Sequence, residues 1–272
     1  MAMQIVVCIK QVPDTTQVKV DPNTGTLIRE GVPFIINPFD THAVEASLRL
    51  KDKYGLRVAA ISMGPPNADQ TLRKALSLGI DEVVLLSDRA FAGADTWATS
   101  AVLAEAIRRL AQKEEVILVL CGKQTIDGDT AQVGPGIASR LNYYQLTLVD
   151  HIDDLNLKTK KIRVRRKLEG RHEMVEAPLP AMLAVVREIN RCRYPTVPRR
   201  LMAEDKEVSV WDNNVLKMDP NTIGLKGSPT QVRKIFSPER VKGEIVGDGL
   251  NAPEEAANLL VDALIEKRFL SL

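Results

Sequence analysis

The chain has 272 residues, room for one large α/β domain with an appendage or for two small domains. Charged residues make up 26% and the formal net charge is +2, so there is no electrostatic case for nucleic acid as the main ligand. Aromatic residues are only 4%, which argues against a base-stacking surface, and no apolar run reaches the roughly 18–20 residues that span a bilayer, so no membrane insertion is expected.

Gln4 to Ile9 is apolar and β-branched and reads as a central strand. The N-terminus lacks the basic start and cleavage site of a signal peptide, so a cytoplasmic location is expected. Val18 to Arg29 reads as a hairpin turning at Asp21-Pro22-Asn23-Thr24-Gly25. Asn37 is placed to cap a helix that begins near Pro38 and runs to about Tyr54, with Ala43, Ala46, Leu48 and Leu50 inward. Arg57 to Met63 is the next strand, a helix follows over Asn67 to Leu78, and Gly79 stops it. Glu82 to Ser87 is a third core strand. Asp95 or Thr96 starts a helix that reaches Gln112, and Val116 to Cys121 is a fourth strand. A helix after the next loop ends near Leu141. This alternation predicts a doubly wound, mostly parallel α/β sheet.

After about Asp150 the pattern changes. Lys158 to Lys167 alternates basic and apolar residues, Glu173 to Ala177 is extended, and Ala181 to Val186 is strongly apolar. These predict added antiparallel strands. From Arg187 the core pattern thins into a proline-pinned loop, a short helix over Arg199 to Glu204, and an arm over Lys206 to Glu244 that needs another surface. Ala252 to Leu270 predicts a last amphipathic helix. Two regions result: 1–190 as a nucleotide-binding α/β domain, and 191–272 as a C-terminal arm with its terminal helix.

The stretch Val119 to Gly136 is the most informative. A buried strand runs into a polar, glycine-rich loop and then a helix, which is where open α/β sheets bind ligands and where backbone N–H groups suit a phosphate. A plain alternative makes Asp129 or Thr130 a helix cap. An EF-hand starting at Asp127 fails, because its twelfth position is Ala138. A P-loop fails because Gly122-Lys123 is followed by Gln124. The first strand lacks G-x-G-x-x-G, so independent NAD-dehydrogenase chemistry is not expected. Cys8, Cys121 and Cys192 contain no C-x-x-C, so no metal or iron–sulfur site is expected, and Cys8 and Cys121 read as packed thiols. His42, His151 and His172 show no nucleophile–base spacing. The run Lys160, Lys161, Arg163, Arg165, Arg166 and Lys167 reads as a solvated strand face.

Several motifs in one order resemble the beta subunit of electron transfer flavoproteins nearly end to end. They are Val6 to Val12, Asn37-Pro38-Phe39-Asp40 with Ala43-Val44-Glu45, Ser62-Met63-Gly64-Pro65, Gly122-Lys123-Gln124 with Asp127 to Gly134, and Arg193-Tyr194 with Pro198. The resemblance implies an adenine-nucleotide α-hydrolase-like fold. It also implies an obligate heterodimer with an alpha subunit, which carries FAD on a mobile domain and is embraced by the arm. Ordinary members hold AMP in the beta-subunit site, and their loop usually reads Asn-Gln-Thr. Here Gly128-Asp129-Thr130 precedes Ala131-Gln132-Val133, which is similar to the electron-bifurcating, Fix-type branch, where the site holds a second FAD.

That branch implies hydride delivery from NADH, with one electron passing to ferredoxin or flavodoxin. The other passes through the alpha FAD to a quinone-reducing subunit or an acyl-CoA dehydrogenase. The implied cofactor contacts are Cys8, Ile9, Lys10, Asn37, Asp40, Met63, Gly64, Asp95, Thr96 and Thr99. On the loop they are Gly122, Lys123, Gln124, Thr125, Asp127, Gly128, Asp129, Thr130, Ala131, Gln132, Val133 and Gly134, with the N–H groups of Gln132 to Gly134 on the pyrophosphate. The flavin performs the chemistry, and no residue is assigned as acid or base. Arg193, Tyr194 and Val197 are the implied partner contacts, Val197 being a small anchor. Lys167 stands where ordinary members place an acidic residue near the mobile flavin domain. Competing readings are an AMP-binding scaffold and a free adenine-nucleotide-binding regulator.

Overall fold

The structure is a computed structural model describing residues 2–14, 19–20, 27–28, 33–232 and 243–270. Strand β1 (Met3–Cys8) is buried on both faces, as its continuous apolar run requires. The short strands β2 (Gln11–Pro13), β3 (Lys19–Val20), β4 (Leu27–Ile28) and β5 (Phe34–Ile36) form two small antiparallel pairs, β2 with β5 and β3 with β4. The β3–β4 pair is the expected hairpin, whose turn lies outside the described residues.

Helix α1 (Pro38–Tyr54) places Ala43, Ala46, Leu48 and Leu50 in the core and stops at Gly55, whose φ of 69° an L side chain rarely adopts. Strand β6 (Arg57–Met63), helix α2 (Asp69–Leu78), strand β7 (Glu82–Leu86), helix α3 (Thr96–Ala111) and strand β8 (Glu115–Gly122) then alternate as expected. Helix α4 (Val133–Leu141) follows the long loop. The remaining elements are β9 (Tyr144–Asn156), β10 (Lys161–Leu168), β11 (Arg171–Pro178), β12 (Ala181–Val185), α5 (Val197–Asp205), β13 (Ser209–Trp211), α6 (Asn213–Leu216) and α7 (Pro253–Glu266).

Nine strands form one sheet in the order β11-β10-β9-β12-β8-β1-β6-β7-β13. Helices α1 and α2 cover one face with a core that includes Ile5, Val44, Leu48, Leu72 and Leu183. Helices α3 and α4 cover the other, over Val6, Ile61, Ile107, Val119 and Ile137. The chain steps outward from β1 through β6 to β7, then crosses back to place β8 on the opposite side of β1. The β1–β8 boundary is therefore the switch point of the sheet, where a crevice opens beyond the strand ends.

Two expectations are corrected here. Strand β12 is not antiparallel: it pairs parallel with β8 and with β9, and all five of its residues are buried. Its unbroken apolar run is the signature of a parallel strand covered on both faces. The thirteen-residue β9 is absent from the sequence reading, because its polar half, toward Asn156, masks the pattern. Only β9, β10 and β11 supply the antiparallel extension.

Contacts group Met1–Arg233 as one compact unit and Lys234–Leu272 as another. Within the first, the segment beyond Arg191 returns to the sheet: α5 packs on α2, and β13 pairs with β7. Within the second, α7 opens on Pro253 with Glu254 and Glu255 in its first turn, where both suit the helix dipole. No helix among the described residues is long and apolar enough to cross a membrane.

Candidate nucleotide-binding site

The crevice at the switch point is stitched together from α1. Asp40 is 4% exposed, and its carboxylate accepts the backbone N–H of Lys10 at 2.8 Å and that of Gly122 at 2.9 Å. One side chain thus bridges the ends of β1 and β8. Burial pushes its pKa up to about 7, against the two N–H bonds and the Asn37 contact that pull it down. Asn37 was expected to cap α1, but its side chain makes no cap bond. Its Nδ2 donates to the Gln124 carbonyl at 2.9 Å, and its Oδ1 accepts from the Ile126 N–H at 3.2 Å. The Asn-Pro-Phe-Asp motif therefore holds the loop after β8, and Pro38 alone starts the helix.

The loop is shaped for an anion. Asp129 and Ala131 have φ of 52° and 55°, left-handed values uncommon for residues other than glycine. Neither Asp129 nor Thr130 caps α4; the cap position is Gln132, and no side chain bonds there. The backbone N–H groups from Thr130 to Gly134 find no acceptor among the described residues. Successive free N–H groups in such a turn, at a helix N-terminus, form an anion-binding concavity.

The glycines divide by role. A Cβ on Gly134 would lie 2.7 Å from Cys121 Sγ, and one on Gly136 would lie 2.7 Å from Ser100 Oγ. Both let α4 approach β8 and α3 closely. A Cβ on Gly122 would lie 2.6 Å from Asp40 Oδ1. Gly128 meets only Thr125 Oγ1 at 3.4 Å and is exposed, so packing does not account for it.

The other expected residues take varied places. Lys10 Nζ pairs with Asp127 at 2.7 Å, tying the β1 end to the loop. Gln124 Nε2 donates to Asp129 Oδ1 at 2.7 Å, while the Thr125 carbonyl accepts the Asp129 N–H. Thr96 Oγ1 donates to Gln132 Oε1 at 2.8 Å, joining the starts of α3 and α4. Asp95 caps α3 through the Ala98 N–H and accepts both the N–H and the hydroxyl of Thr230, so its oxygens are engaged. The Thr99 N–H bonds the Asp95 carbonyl, and Gly64 N–H bonds the Leu86 carbonyl. Cys8, Ile9 and Cys121 are buried in the core, and Met63 packs against it. Burial, aided by the neighbouring Asp40, pushes both thiols up, so neither is a ready nucleophile.

A cleft of about 630 Å³ borders the loop. Lys123, Gln124, Ile126 and Asp129 form one wall, with Phe39 beside them. Leu148, Lys167 to Glu169 and Val186 to Glu188 form the others. Met63, Gly64, Asp95 and Thr96 do not line it. Phe39, Leu148 and Arg187 line it although they lie outside the expected set of site residues. Phe39 had a signal in its motif; the left-handed backbone of Leu148 leaves none.

Comparison with known proteins decides the family. The electron transfer flavoprotein domain matches residues 24–216. The chain belongs to the electron transfer flavoprotein family. Its relatives include the caffeyl-CoA reductase-Etf complex subunit CarD of Acetobacterium woodii, 46% identical over 98% of this chain and 100% of that one. Protein FixA of Azotobacter vinelandii is 49% identical over 87% of this chain and 85% of its own. The electron transfer flavoprotein subunit beta of Clostridium acetobutylicum is 47% identical over 98% and 100%. This electron transfer flavoprotein chain is a beta-type subunit with a role in electron transfer.

The implied partner contacts of this flavoprotein subunit separate. Tyr194 and Val197 are 92% and 70% exposed. Arg193 instead faces inward, donating to Glu45 at 2.8 Å and to Asp52 at 2.8 Å. Burial alone would raise the Glu45 pKa, yet Arg193 and Arg49 hold it below the ordinary carboxylate value. Arg193 thus fixes the loop that presents Tyr194. Cys192 Sγ lies 3.5 Å from His42 Nδ1, a proximity that spacing in sequence did not reveal. Burial raises that thiol too, so the pair is not an activated dyad. Each basic residue of β10 has its own acid: Lys161 with Glu176, Arg163 with Asp153, Arg165 with Asp150, Arg166 with Glu173 and Lys167 with Glu188. Among the described residues, no three metal-ligating side chains gather.

Proposed function

We propose that this subunit binds the phosphates of FAD on the loop after β8 and acts in a heterodimer that bifurcates electrons from NADH. The observation that carries the reading is the run of free N–H groups from Thr130 to Gly134 at the uncapped start of α4, beside the switch point. These donors suit the phosphate of a nucleotide. The loop sequence Gly128-Asp129-Thr130-Ala131-Gln132-Val133 supports FAD over AMP by its likeness to the bifurcating branch, and exposed Gly128 leaves room beside the donors.

The chain's residues bind and orient. Asp40 and Asn37 hold the β1 and β8 ends in register, Lys10 and Asp127 brace the loop, and Thr96 with Gln132 sets the two helix starts. Bound there, a flavin would take a hydride from NADH and pass its two electrons singly, one to a ferredoxin or flavodoxin and one through the alpha-subunit FAD to a quinone-reducing subunit or acyl-CoA dehydrogenase. Tyr194 and Val197 offer an exposed surface to a partner. The C-terminal arm, residues 191–272, embraces the alpha subunit.

Denaturing extraction and chromatography of the co-produced alpha–beta complex tests the reading. FAD on both subunits, with no AMP, is the expected result, and it is followed by NADH-dependent ferredoxin reduction. FAD accompanied by AMP would replace the bifurcating role with that of a scaffold for a single-electron shuttle.

A further inference from the structure

The first turn of α3 presents an aromatic–guanidinium pair that packing inside the chain does not explain. Trp97 is 59% exposed, and the Arg140 guanidinium of α4 stacks 4.0 Å from its ring centroid. Arg140 Nη2 also donates to the Trp97 carbonyl at 3.0 Å. The exposed Arg108 in turn donates to the Arg140 carbonyl at 2.6 Å. A braced cation therefore holds the indole out in solvent, although covering it would be favourable. Leu225, 51% exposed, donates its N–H to the Ala92 carbonyl in the loop that leads into the same helix.

Arg140 has no carboxylate within ion-pair distance among the described residues. Burial and the neighbouring Arg108 both pull its pKa down, and Asp95 acts against them from a distance. Asp95 itself caps α3 and accepts from Thr230, and Glu105 is paired with Arg108 at 3.0 Å. A carboxylate brought from outside would relieve Arg140, whose guanidinium keeps N–H donors to spare.

We propose that Trp97, Arg140 and Arg108 form the docking surface for a small acidic electron-carrier protein. Its carboxylates meet the two guanidiniums, and its apolar surface covers the indole. Tryptophan and arginine are the side chains that most often anchor a protein interface. The position suits an electron exit: Trp97 follows Thr96, whose hydroxyl bonds Gln132 on the loop after β8. The proposal rests on the preceding reading in taking the carrier to be the ferredoxin or flavodoxin named there. The β10 face, where each cation has its own acid, offers such a carrier no comparable anchor.

The test titrates the co-produced alpha–beta complex with an oxidised bacterial-type ferredoxin by anaerobic calorimetry. Heterodimer assembly and bound FAD and AMP are measured in the same samples. The ferredoxin is expected to bind, and Trp97→Ala and Arg140→Glu are each expected to weaken it by about tenfold or more at unchanged assembly and nucleotide content. Added salt is expected to weaken binding to wild type more than to Arg140→Glu. Arg140→Gln serves if the charge reversal does not fold. Unchanged affinity in the folded variants overturns the proposal, as does a wild-type complex that binds no ferredoxin. Loss of the alpha subunit from the variants overturns it too, by giving the patch to that subunit. FAD accompanied by AMP sinks the preceding reading instead, and variant-sensitive ferredoxin binding there still supports the docking surface.

Discussion

Asp40 Oδ1 accepts the backbone N–H of Gly122 at 2.9 Å, joining residues 82 apart in sequence, while Oδ2 accepts that of Lys10 at 2.8 Å. A buried carboxylate that is solvated only by protein N–H groups is sensitive to its own charge state. Its raised pKa means that the folded chain binds more protons than the unfolded one between the ordinary value of 3.8 and about 7. This stability term is therefore complete below that window and is lost as pH rises through about 7, at up to about 1.4 kcal/mol per pH unit. Urea unfolding across that window should show Asp40→Asn lacking this slope; parallel profiles for wild type and variant would refute the assignment.

Gly134 and Gly128 make opposite predictions. Gly134→Ala drives a methyl into Cys121 and should destabilise the chain by about 1–3 kcal/mol. Gly128→Ala meets nothing closer than 3.4 Å and should leave thermal unfolding unchanged while lowering retention of bound nucleotide. Equal melting of all three proteins would show that α4 can shift away from β8 at no cost.

Asn37→Ala removes both bonds to the loop at a fully buried position. Leaving the Ile126 N–H and the Gln124 carbonyl without that partner should cost about 1–3 kcal/mol and release the nucleotide. Hydrogen exchange at Ile126 reads this directly, and an unaltered rate would count against the role given to Asn37.

Arg193 and Tyr194 are adjacent but should fail differently. Arg193→Ala leaves the buried Glu45 with the half-exposed Arg49 alone and should lower the melting temperature. Because the Glu45 pKa is depressed, the lost term is the one present above its ordinary value of 4.5, so the gap between variant and wild type should close on acidification. Tyr194→Ala should melt as wild type and weaken only partner docking. A stability loss at Tyr194 would mean that its ring packs on the chain after all.

Much of the fold is legible in the order of apolar runs, because parallel strands covered on both faces leave few polar interruptions. That same signal marks β12, but its direction depends on where the β9–β11 extension returns it, and residue type does not encode that path. The glycine-rich loop after β8 is legible in the sequence as a loop between strand and helix, although two of its glycines turn out to serve helix packing. Asn37 misleads because a residue that can cap a helix can equally hold a loop 87 residues away. Leu148 is invisible, since no leucine announces a left-handed backbone.

The paired cations of β10 bear on how fast partners meet this protein. A strand that looks strongly basic in sequence projects almost no field once each charge faces its own acid. Encounters on that face are then governed by diffusion and shape rather than by steering, and an acidic carrier gains no head start there. Association rates through this face would stay flat as salt is added.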